Sequence, residues 1–85
     1  MTNLYRVVSD SVFDRNTLAQ FAPHDLPIRQ AVGVSFDIAR HLRGTPSVVS
    51  ADGKAIDGEG KSHAALVEAE VDMLRKIRAG LVAVM

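Results

Sequence analysis

Apolar residues recur every three or four positions through the last third of the chain. Val67, Val71, Leu74, Ile77, Leu81 and Val84 form this stripe, with Glu68, Glu70, Asp72, Arg75, Lys76 and Arg78 mostly between them. The spacing predicts an amphipathic helix capped by Ser62 and running to Met85. Near the start, Leu4, Val8, Val12, Ala19 and Ala22 fall roughly on one helical face, with Phe13 and Leu18 beside them. A helix is expected from about Ser9 to Ala22, ended by Pro23, while Leu4–Val8 reads equally as helix or short strand. Between these segments, Asp25 to Gly44 reads as two short helices hinged at Gly33. Asp25 and Ser35 have the side chains of N-caps, and Gly44 followed by Pro46 ends the second helix, Phe36–Arg43. Two β-prone runs then flank Asp52-Gly53, a hairpin signal, and Asp57–Lys61 resembles a linker.

These elements predict a mainly α fold: a small helical bundle containing a helix-turn-helix, with room for a short β-hairpin near 47–56. The chain divides into a region 1–61 holding the motif 25–44 and a C-terminal helix 62–85. With 85 residues and no cysteine, one small domain is expected, with neither disulfides nor thiolate zinc sites. Self-association is then the natural source of added stability, and Val67, Val71, Leu74, Ile77 and Leu81 are the expected dimer interface. No run approaches the about 18 apolar residues of a membrane span, so a soluble, cytoplasmic protein without a membrane partner is expected.

The formal net charge is zero, which weakens a nucleic-acid role, because phosphate neutralisation supplies most non-specific affinity. The positive charge is local, however: residues 38–44 carry Arg40, His41 and Arg43 and no acid.

Within the twenty-residue helix-turn-helix template, Asp25 stands first, Ile28 fourth, Val32 eighth, Gly33 ninth, Val34 tenth and Leu42 eighteenth. The apolar places pack two helices together and the glycine permits the turn. In these residues the chain resembles the helix-turn-helix repressors of phages and plasmids, of the lambda-repressor and Cro kind, and in length and composition it resembles the small plasmid-borne Kor-type regulators. It departs from them at Arg29, where the family prefers alanine, and at Ile38, one place before the usual buried position. The resemblance implies a homodimer on a palindromic double-stranded DNA operator. It also implies that Ser35, Phe36, Asp37, Arg40 and His41 face the bases while Arg43 lies nearer a phosphate. Promoter occlusion, hence repression, would be the mechanism.

The competing reading is a protein-interaction module (an antitoxin, anti-activator or phage inhibitor), favoured by the zero net charge and apolar C-terminus. Other chemistry is weaker. Ala55–Ser62 fits a loosened phosphate-loop pattern, but Asp57 and Glu59 would repel a triphosphate. His24, His41 and His63 lack metal-ligand spacing, and Glu68, Glu70 and Asp72 are scattered around their helix. Neither an enzyme, nor a metal, nor a cofactor, nor a small-molecule substrate is therefore expected.

Overall fold

The computed structural model describes residues 3–80. In chain order it contains β1 (Tyr5–Ser9), a 3-10 turn (Val12–Asp14), α1 (Arg15–Phe21), α2 (Ile28–Ile38), a second 3-10 turn (Ala39–His41), β2 (Pro46–Ser50) and α3 (His63–Arg78). The expected mainly α bundle is thus replaced by an α+β domain. β1 and β2 pair antiparallel, Tyr5 opposite Ser50 and Ser9 opposite Pro46. A bridge from Tyr5 to Leu26 extends this sheet on the far side of β1, so the order across it is Leu26, β1, β2.

β1 forms because Tyr5, Val7 and Val8 are β-formers whose alternation buries Tyr5 and Val7 on one face. The expected helix from Ser9 survives only as the first 3-10 turn and the short α1. Ser11 caps that turn, its hydroxyl accepting from the Phe13 amide. The hairpin near 47–56 does not form as such. β2 occupies its first half but pairs with β1, some forty positions earlier, and the chain turns away through Gly53, at φ 75°.

The largest correction lies in α2. The expected hinge at Gly33 is absent, and Ile28–Ile38 is one continuous helix. Gly33 lacks the positive φ that a tight turn would use. Burial decides this: Ala31, Val32, Ser35 and Ile38 lie at helical spacing on one face and enter the core together. That gain outweighs the about 1 kcal/mol glycine penalty within a helix. Asp25 is not the N-cap, a place taken by Pro27; Asp25 instead pairs with Arg6 at 3.0 Å. Ser35 caps nothing either, its hydroxyl donating to the Val32 carbonyl at 2.7 Å inside the same helix. The supposed second helix is therefore the last turn of α2 followed by a 3-10 turn and extended chain. Consequently the helix-turn-helix at 25–44 is not formed.

α3 begins where expected, with the Ser62 hydroxyl accepting from the Ala65 amide. The core comprises Tyr5, Val7 and Val48 from the sheet and Ala31, Val32 and Ile38 from α2, with Val67, Val71 and Leu74 of α3 packed against it. The α3 stripe thus covers its own domain's core. Leu81, the last expected interface residue, lies outside the described residues.

Candidate functional site

β2 joins the rest of the sheet along one edge only. The parity of its hydrogen bonds follows from two contacts: Ala51 N–H donates to the Leu4 carbonyl, while Tyr5 and Leu26 exchange bonds on the far side of β1. In the antiparallel register this turns the amides and carbonyls of Ser47 and Val49 toward β1. Those of Pro46, Val48 and Ser50 point away from the sheet. Gly53 N–H donates to the Ser50 carbonyl. Among the described residues nothing hydrogen-bonds to the Pro46 carbonyl, to either Val48 backbone group, or to the Ser50 amide. Val48 is nevertheless only 9% exposed, so its backbone is a recessed edge with unused polar groups.

That edge borders a groove of about 560 Å³ between β2, α2 and α3. Phe36 and Ala39 supply one wall, Val67 and Val71 the other, and Thr45–Val48 the edge itself. Arg75 stands at one end of the groove, and both Arg75 and Arg78 lie over the Phe36 ring, at 6.0 and 5.4 Å from its centre. At the other end of β2, a pocket of about 220 Å³ is lined by Val48, Val49, Ser50, Lys54, Ser62 and His63. His63 is 4% exposed; its Nδ1 meets the Tyr5 hydroxyl at 2.6 Å, and its Nε2 is buried without a hydrogen-bond partner among the described residues. Burial, then the carboxylates of Asp57 and Asp52, raises the Tyr5 hydroxyl above its ordinary pKa and keeps it a neutral donor or acceptor.

Two aspartates set the entry to β2. Asp14 is 1% exposed and accepts from the amides of Arg43 (2.7 Å) and Gly44 (2.8 Å) and from the Ser9 hydroxyl, while Asp10 accepts from the Thr45 amide. Burial alone would raise the Asp14 pKa. The bonds from Arg43, Ser9 and Gly44 outweigh it and hold the carboxyl below its usual range. Gly44 is needed here, because a Cβ at that position would collide with Asp10 Oδ1 and Ser9 Oγ.

The expected DNA-reading residues do not share one face. Ser35 is buried, Phe36 lines the groove, and Asp37 accepts from Arg78 at 2.8 Å. Arg40 and His41 are exposed in the second 3-10 turn, where His41 stacks on Phe21 with ring centres 5.8 Å apart. Arg43 lies over Phe13, 5.2 Å from its centre. Arg40, His41 and Arg43 therefore remain grouped, beside Phe13 and Phe21, which are 71% and 50% exposed. Of the expected dimer residues, Val67 and Val71 line the groove, while Leu74 packs on the core and Ile77 is half-buried.

The open edge of β2 and the Tyr5–His63 pair went unread in the sequence. The run from Ser47 carries a β signal, but nothing local shows that its partner is β1, and so which edge stays open. The phosphate-loop resemblance has a structural answer. The amides of Glu59 and Lys61, which such a loop would turn on a phosphate, already donate to the Asp57 carboxylate. Those bonds, Lys61 foremost, also hold Asp57 below its usual pKa against its desolvation. Among the described residues no group of three His, Asp or Glu side chains could hold a metal, and no helix is long and apolar enough to cross a membrane.

No family model matches the chain, and neither a curated protein nor a solved structure resembles it significantly.

Proposed function

We propose that this chain is a protein-interaction module that binds an extended, apolar polypeptide strand along β2. The observation that carries this reading is the unpaired edge of β2, which borders the groove lined by Phe36, Val67 and Val71 at Val48 and continues to Ser50 beside the smaller pocket at His63. An incoming strand would gain main-chain hydrogen bonds from the edge and place alternate side chains in the groove, the logic of strand addition. A formal net charge of zero is compatible with a protein partner, and the lack of cysteine fits the cytoplasm.

One observation favours a second reading, DNA binding. Phe13 and Phe21 are exposed beside Arg40, His41 and Arg43, so bases could stack where guanidinium groups meet phosphates. Regulation of a promoter by a dimer would then act through this face.

A single titration series separates the two. With isotope-labelled protein at low concentration, a capped peptide of alternating valine and threonine should shift the amide resonances of Val48, Ser50, Val67 and Val71. Val71→Glu should abolish that response, by placing a charge in the groove. Shifts confined to Phe13, Phe21, Arg40, His41 and Arg43 on adding duplex or single-stranded DNA, with a silent β2 edge, would overturn the strand-binding reading.

A further inference from the structure

We infer that the occupant of the β2 edge is a second copy of this chain, whose own β2 pairs antiparallel across a two-fold axis at Val48. The inference rests on the strand-binding reading and names its partner. Its ground is the pattern of donors and acceptors along the edge. Proline has no amide hydrogen, so Pro46 offers only a carbonyl. Ser50 offers only an amide, because its carbonyl is taken by Gly53. Val48, between them, offers both groups. An axis at Val48 lets Val48 exchange bonds with the partner's Val48, and each Ser50 amide then meets the opposite Pro46 carbonyl. The donor that Pro46 lacks falls opposite the acceptor that Gly53 already fills. Every unused group on the edge gains a partner.

Other registers of the same parity fail. Sliding two residues one way sets the Val48 carbonyl against the ring of Pro46. Sliding the other way aims the Val48 amide at the occupied Ser50 carbonyl. An isologous interface needs such self-complementarity, which an arbitrary peptide would match only by chance. The segment Pro46-Ser-Val-Val-Ser50 also carries no charge, so two copies meet without like-charge repulsion. Pro46, Val48 and Ser50 would share the groove side in both copies. Ser47 and Val49, the latter 43% exposed, would lie opposite each other on the outer face of a sheet ordered β1, β2, then the partner's β2 and β1.

The chain has no cysteine, so the register can be read by cross-linking. Ser47→Cys and Val49→Cys are made as separate full-length variants, mixed and oxidised. The register predicts a mixed disulfide, because Ser47 faces the partner's Val49. Each variant alone should cross-link about tenfold more slowly, since like positions are diagonal and fall outside disulfide reach. Ser50→Pro removes the outward amide, together with the exposed hydroxyl's bond to Asp52, and should weaken dimerisation in sedimentation by about thirtyfold, the effect of losing two symmetry-related bonds near 1 kcal/mol each. Its circular dichroism should be unchanged; if that variant does not fold, the cross-linking still decides. A dimer without the mixed preference, or a monomer at all accessible concentrations, overturns the inference. A monomer that still binds the valine–threonine peptide at Val48 keeps the interaction reading and removes only the self-pairing. A monomer that binds neither peptide nor copy removes both.

Discussion

Asp14 shows how one buried side chain positions the entry to a strand. Its carboxylate closes the turn that delivers the chain into β2, and Gly44 allows the approach by lacking a Cβ. Gly44→Ala should lower the melting temperature well beyond a surface substitution, since Asp10, Ser9 and the backbone at Ser11 must all shift. A melt indistinguishable from the parent would show that the turn is not close-packed. The same aspartates set the response to acid. Asp14 is held below its ordinary value by hydrogen bonds that outweigh burial; Asp52 is lowered chiefly by the Ser50 hydroxyl and Lys54 amide, and Asp57 by the Lys61 amide. A carboxyl whose folded pKa lies below its unfolded value of 3.8 contributes stability that is present above that value and lost as pH falls through the folded one. Stability should therefore be flat with respect to these groups above about pH 5 and fall below about pH 4. Asp14→Asn should shrink that acid-dependent loss in thermal melts, whereas an unchanged acid profile would remove Asp14 from it.

At the scale of elements, the instructive case is α2. The sequence marks of a two-helix motif were present: Asp25, Gly33, Ser35 and Gly44 in suitable places. Each is a local preference worth about 1 kcal/mol. Burying Ala31, Val32 and Ile38 against the sheet is worth more, about 1.5–3 kcal/mol for a fully buried Val or Ile alone. Tertiary burial therefore carries the helix through Gly33. α3 is legible at its start, where period and Ser62 cap agree, but it ends at Arg78, with Gly80 at positive φ beyond it, short of the expected Met85. β2 is legible as a β-prone run and β1 only as one of two readings of Leu4–Val8; their pairing is illegible, since register over such a sequence distance has no local signature. Arg40, His41 and Arg43 were legible as a basic group, though a turn presents them rather than a helix. The continuous helix gives a sharp test. A Cβ at Gly33 meets nothing, so Gly33→Ala should stabilise the protein by about 0.5–1 kcal/mol. In a left-handed hinge the same change would destabilise it, so chemical denaturation of the two proteins decides between the architectures.

For the whole molecule, stability and interaction share one small core. Val32 is 1% exposed at the contact of helix and sheet, and Val32→Ala should cost about 2–3 kcal/mol in equilibrium unfolding. A loss under about 0.5 kcal/mol would mean that the core is not packed there. Val71→Glu, on the groove wall, acts at the proposed interaction surface and at α3 packing together, so its binding defect is read only where circular dichroism matches the parent. The domain thus uses its apolar surface to cover one side of the sheet and leaves the outer edge of β2 unpaired among the described residues.

That edge is tested most directly by amide hydrogen exchange at single-residue resolution, with protein concentration raised in steps. The account predicts a steady Val49 amide, bonded to β1 throughout, and Val48 and Ser50 amides that become protected together as copies associate. Val48 and Ser50 exchanging equally fast at every concentration, and unaltered by the valine–threonine peptide, would contradict it.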